Sequence, residues 1–205
     1  MTVTPMFPLG LVHFPGVMLP LRVFEPRYRQ LTIDCLDGDR EFGVVLIERG
    51  SEVGGGDVRT AVGTMTSIVQ AGLDESGLIR LDTIGTRRIR VLQWLDDEPY
   101  PRAEVEDLPA HEVGAEHAGP MATVERKVRR ALALRTELGE RTMPYNIELD
   151  PDAARALFQL AAIAPLGPLD QQRLLAAPGP AELLSELDRF MDEELAVLAS
   201  RLAGN

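Results

Sequence analysis

The chain has 205 residues, 45% of them hydrophobic and 26% charged, and a formal net charge of −11. That length can bury a sizeable core in one or two domains, while the acidic excess argues against general affinity for nucleic acid, which needs cationic surface to displace counterions. No apolar run is long enough to span a bilayer and the opening MTVTPMF lacks a signal peptide's basic start, so the expectation is a cytoplasmic protein with no membrane partner.

The stretch Met6 to Leu31, MFPLGLVHFPGVMLPLRVFEPRYRQL, is punctuated too particularly for a generic strand pair. Pro8, Pro15-Gly16 and Pro20 each remove a ladder donor or force a bend, so the chain turns here. Glu25-Pro26 reads as a helix start, because a proline at the first helical position loses no hydrogen bond. Tyr28, Leu31 and Cys35 then share one helix face. Cys35 is the only cysteine, which rules out an internal disulfide and a cysteine-based zinc cluster. It reads as a small apolar core residue.

After the helix, DGDR (37–40) is turn chemistry and FGVVLI (42–47) is a continuous apolar run that fits a buried strand. GSEVGGGD (50–57) reads as a loop. Val58 to Ala71 has the β-branched content of a strand, with Gly63 marking a bulge or bend. The turn DESG (74–77) leads into strands predicted at 78–84 and 87–95, and a last strand spans 102–108. Several short strands with one early helix predict a closed or nearly closed barrel.

From Pro120 the hydrophobic period changes from two to about 3.6. Residues 110–119, AHEVGAEHAG, read as a linker with exposed His111 and His117. Helices are predicted at 121–138, after an Asp150-Pro151 cap, from an Asp170 cap through Leu175, and at 181–202. The last carries the clearest stripe: Leu183, Leu184, Leu187, Phe190, Met191, Leu195, Leu198 and Leu202.

The order of an apolar strand, Phe-Pro-Gly, Leu-Pro-Leu and then Phe-Glu-Pro-Arg-Tyr opening a helix resembles the start of the Lon protease N-terminal, substrate-binding domain. The likeness is strongest to the stand-alone bacterial versions, and cereblon carries a relative. LGPLDQQRLLAAPGPAELLSELDRFMDEEL is similar to the helical subdomain that follows the barrel in that family. The resemblance implies an α+β fold: a PUA-like β pseudobarrel with one early helix in residues 1–110, followed by a C-terminal α-helical bundle in residues 118–205. Together these would make one Lon N-terminal-like domain.

Motifs for chemistry are missing from these 205 residues. A phosphate loop needs lysine directly after glycine, and the one lysine, Lys127, follows Arg126. Lon cuts peptides with a serine activated by a desolvated lysine. Lys127 sits in ERKVRR, where neighbouring arginines would lower its pKa, but no serine accompanies it. His13, His111 and His117 lack a metal-ligand pattern, so neither metal nor cofactor is expected. The cations Arg80, Arg87, Arg88, Arg90 and Arg102 make the best case for RNA, since PUA-like barrels can bind it. Alternation splits them between faces, and only Trp94 and Tyr100 are near enough in sequence to stack.

The expectation is therefore a non-enzymatic module that recognises exposed apolar segments of unfolded or client polypeptides. Phe14, Val17, Met18 and Leu19, with Tyr28, are the candidate peptide-binding residues, because proline keeps this edge from pairing fully. The alternative is that they close the core. Pro15, Gly16, Pro20, Glu25, Pro26 and Arg27 are the structural part of the motif, with an ion pair expected between Glu25 and Arg27. A second reading is assembly: docking on full-length Lon, or a homo-oligomer formed through the last helix.

Overall fold

The computed structural model describes residues 2–50, 58–75 and 77–203, and the chain divides into two units, Met1–Ala110 and His111–Asn205. In the first unit the apolar run TVTPMFPL forms β1 (Thr2–Leu9), and the proline-broken segment after it resumes as β2 (Met18–Val23). Helix α1 (Pro26–Asp37) follows, with Glu25 extended at its N-cap and Pro26 in its first turn. Then come β3 (Glu41–Arg49), β4 (Val58–Leu73), β5 (Ile79–Trp94) and β6 (Arg102–Asp107).

All strand pairs are antiparallel except β1–β3, so the sheet is mixed. Pairings run β5–β4–β3–β1–β6 and return to β5, which closes a five-strand ring, while β2, among the described residues, pairs only with β5. The strands predicted at 78–84 and 87–95 are one strand. The local pattern breaks at Gly85-Thr86 because the β4–β5 register shifts there, between Met65 and Thr66, and the ladder continues past the irregularity. The expected irregularity at Gly63 also sits beside a register shift, between Val45 and Ile47 of β3. The expected loop 50–57 lies outside the described residues apart from Gly50.

Closure explains why FGVVLI is continuously apolar rather than alternating. Met6, Val45, Met65, Ile89, Ala103 and Val105 form one cluster. Phe7, Phe42 and Val44 belong to a second, with Leu19, Val23 and Leu81 and with Tyr28, Leu31 and Cys35 of α1. Successive side chains of β1 and β3 thus alternate between two cores. The Tyr28 ring stacks on Phe7 with centroids 4.0 Å apart, and the Tyr100 hydroxyl donates to Asp34 Oδ2 at 2.7 Å, holding α1 in place.

In the second unit a 3₁₀ turn (Ala115–His117) leads into α2 (Ala118–Glu137), followed by α3 (Ala153–Ile163), α4 (Pro168–Ala176) and α5 (Pro180–Ala203). The α3 cap is Asp152, whose carboxylate accepts from the Arg155 N–H at 2.9 Å, rather than Asp150, which instead accepts from the Asp152 N–H. Pro168 opens α4 behind Gly167, so Asp170 lies in its first turn and is not its cap. His111 is buried, contrary to expectation: its ring packs on Phe158, with centroids 5.1 Å apart, and Nε2 bonds to the Ala177 carbonyl at 3.2 Å. The apolar stripe of α5 is largely consumed inside this unit, with Leu183, Leu184, Leu187, Phe190, Met191 and Leu198 buried.

Candidate peptide-binding edge

Strand β2 pairs with β5 from Met18↔Ile84 to Val23↔Ile79 and, among the described residues, has no strand on its other side. The Gly85 N–H donates to the Val17 carbonyl at 3.1 Å. Antiparallel alternation then places Leu19, Leu21 and Val23 in the hydrogen-bonded pairs and turns the backbone groups of Met18, Pro20 and Arg22 to the free edge. Among the described residues, no backbone hydrogen bond beyond the β5 ladder reaches residues 18–23. Pro20 occupies one of the outward positions, where a missing N–H costs the fold nothing.

The side chains follow the same alternation. Leu19 and Val23 enter the core with Tyr28 and Leu31, while Met18 is 53% exposed and Pro20 and Arg22 face solvent. Of the five residues expected to bind peptide, Phe14, Leu19 and Tyr28 are core. Phe14 is 1% exposed, and the Thr83 hydroxyl fixes the Leu19 carbonyl at 2.8 Å. Val17 is half-buried, and Met18 alone is well exposed.

The structural motif is assembled around them. Gly16 takes φ 73°, and its N–H bonds to the Gly85 carbonyl at 2.9 Å, so the Pro15-Gly16 turn docks directly on β5. Arg27 Nε reaches Glu25 Oε2 at 3.0 Å while its guanidinium lies over the Tyr28 ring, 4.6 Å from the centroid. Sequence reasoning passed over Phe24, 58% exposed just after the buried Val23, and Arg22, directly opposite Arg80 in the β2–β5 register. The signal for Phe24 was available in the strand alternation. The Arg22–Arg80 pairing was not, because it depends on register.

Arg22 and Arg80 have no ion-pair partner among the described residues, and Asp82 stands opposite Pro20 beside them. Several other cations of this unit are engaged. Arg87 pairs with Glu41 at 2.9 Å and with Asp107 at 3.0 Å, at a cleft of about 280 Å³. Arg90 pairs with Glu106 and Arg59 with Asp97. Arg88 is buried and donates to the Pro109 carbonyl at 2.9 Å, and burial lowers its pKa. Of the cations that made the case for RNA, Arg87, Arg88 and Arg90 are thus already engaged within the fold.

Cys35 and His13 are buried, and Lys127 is ion-paired. Burial, helped by Asp39 and Asp34, pushes the Cys35 thiol up to about 12, and its Sγ lies 3.3 Å from the Glu41 carbonyl. Burial pushes His13 down to about 4. Desolvation lowers the Lys127 pKa, but hydrogen bonds to Asp188 and Asp192 outweigh it and raise the net value, the reverse of the expectation from its arginine neighbours. Its Nζ lies 2.7 Å from Asp188 Oδ1 and 2.6 Å from Asp192 Oδ1. Among the described residues no cluster of histidine, cysteine and acidic side chains could hold a metal ion, and no helix is long and apolar enough to cross a membrane.

A family model described as the ATP-dependent protease La (LON) substrate-binding domain matches residues 3–193. The Lon protease of Syntrophus aciditrophicus is 25% identical over 207 residues, covering 96% of this chain and 26% of its own length. Lon protease 2 of Herpetosiphon aurantiacus is 28% identical over 206 residues, covering 95% of this chain and 24% of its own. The chain thus spans about a quarter of the length of these curated relatives. The crystal structure of a Lon N-terminal domain protein from Xanthomonas campestris superposes with a TM-score of 0.67 at 29% identity, covering 91% of this chain and 97% of that one. The N-terminal domain of Mycobacterium avium complex Lon protease shares the fold at 16% identity, with a TM-score of 0.65 and 93% and 98% coverage.

Proposed function

The chain belongs to the Lon substrate-binding domain family, and from that premise we propose that it is a non-enzymatic, cytoplasmic module that binds exposed apolar segments of other polypeptides. Its α+β architecture is that of the Lon N-terminal domain. We read the closed five-strand ring as a PUA-like pseudobarrel and the second unit as the helical bundle that accompanies it.

The observation that carries the reading is the free edge of β2, flanked by the exposed Met18 and Phe24. A row of unpartnered backbone groups recognises any extended chain, and apolar side chains beside it select segments that a folded protein would hide. The test is fluorescence anisotropy with a labelled, carboxymethylated and permanently unfolded protein. Met18→Asp is expected to abolish binding while leaving the thermal midpoint within a degree or two of the parent, because an exposed side chain contributes little to the core. A collapse of stability together with binding would place Met18 in the core and the recognition surface elsewhere.

A second reading, association with a full-length Lon protease, is supported by relatives in which this region is only about a quarter of the chain. A pull-down against the purified protease tests it. Self-association through α5 has less support, because most of the stripe that would drive it is already buried within the second unit.

A further inference from the structure

Arg22 and Arg80 face each other across the β2–β5 ladder, both exposed, and the neighbouring position on β4 is Gly72, where a β-carbon would meet nothing within 4 Å. Like charges directly opposite on one sheet face destabilise it. Here neither is relieved by an ion pair among the described residues, in a chain whose formal charge is −11. The pair lies on the outer face of the strand that offers the free edge, four residues along from Met18. An added strand presents alternate side chains to the same face, so residues opposite Met18 and Arg22 are themselves four apart whichever way the segment runs.

We propose that the β2 edge selects acidic extended segments: those with an apolar residue and a carboxylate four positions apart, the first beside Met18 and the second beside Arg22, with the long side chain of Arg80 reaching it from one strand further in. The inference rests on the reading of β2 as the recognition edge and adds the class of segment it takes. Two guanidinium groups can share one carboxylate, forming charge-assisted hydrogen bonds and relieving their own repulsion. Asp82, opposite Pro20 and midway between the two sites, disfavours a second acid at the intervening outward position. A second copy of the chain fits worse, since it brings another −11 and another Pro20 that cannot donate.

The test uses blocked, fluorescein-labelled eight-residue peptides of threonine and serine. One carries leucine at its second position and glutamate at its sixth. The controls carry glutamine at the sixth position, or move the glutamate to the fourth. The expected result is roughly tenfold tighter binding of the first peptide than of either control, with the advantage fading in molar salt. The double variant Arg22→Gln, Arg80→Gln should remove that advantage without changing the thermal midpoint. Arg22→Glu combined with Arg80→Glu should transfer the preference to a peptide with lysine at the sixth position, a rescue that a damaged fold could not give. If the glutamate and glutamine peptides bind alike and Met18→Asp abolishes both, the acidic preference is overturned while the recognition edge stands. If neither these peptides nor the unfolded protein bind, both readings fall.

Discussion

Gly85 lies against the Phe14 carbonyl so closely that a β-carbon there would collide with backbone. This contact fits the Pro15-Gly16 turn onto the bend of β5 and starts the β2 ladder, through the bonds from Gly16 to Gly85 and from Gly85 to Val17. Backbone cannot yield as a side-chain tip can, so Gly85→Ala is expected to cost roughly 2 kcal/mol or more and to loosen β2. Gly72, further along the same β4–β5 pairing, has open space, and Gly72→Ala should be neutral or stabilising by up to about 1 kcal/mol. Denaturant melts of the two variants check the contrast. Equal effects would mean that the Phe14 contact is not what requires glycine at position 85.

Phe14 and Met18, four residues apart in the opening motif, should respond in opposite ways. Phe14→Ala removes a fully buried ring and is expected to destabilise by about 3–5 kcal/mol. Met18→Asp should lose polypeptide binding at nearly full stability. Thermal unfolding and anisotropy on the same preparations separate them. A stable Phe14→Ala variant that fails to bind would show that Phe14 contacts the partner after all.

His13 gives the first unit a pH dependence. Its imidazole is 3% exposed and burial lowers its pKa to about 4, while its carbonyl accepts from the Thr64 hydroxyl at 2.6 Å. Because the folded value lies below the ordinary value of about 6.5, the unfolded state binds the proton first as pH falls. Stability from this group is complete above about pH 6.5 and is lost toward pH 4, by roughly 3 kcal/mol in all. Histidine proton NMR should show one imidazole staying neutral to about pH 4. A resonance for His13 titrating near 6.5 would contradict its burial.

The opening motif, the early helix and the change of period near Pro120 were all legible, because each depends on local chemistry: proline positions, an extended N-cap and apolar spacing. What escaped was set by pairing. The bend at Gly85 resembles a strand end unless β4 is known to continue beside it. Asp150 and Asp152 offer equal capping chemistry, and only the helix start decides between them. Phe14, Leu19 and Tyr28 read as surface or core equally well until closure of the barrel and the position of α1 buried them. Arg22 and Arg80 lie 58 positions apart, and no spacing rule joins them.

Lys127 is expected to join α2 to α5 rather than serve as a base. Its ammonium lies between Asp188 and Asp192, one helical turn apart on α5, and their hydrogen bonds hold it charged. Lys127→Met leaves two carboxylates facing each other without a cation and should lower stability by roughly 1 kcal/mol, whereas Lys127→Arg should recover most of the loss. The deficit of Lys127→Met should shrink in molar salt, which screens both the lost attraction and the new repulsion. Since the raised pKa keeps the ammonium protonated, the bridge should persist through neutral pH and weaken only as the solution passes the ordinary lysine range near 10.5. A salt-independent loss of several kcal/mol would instead point to packing by the lysine stem. No loss at all would mean that the buried faces of α2 and α5 hold without the bridge.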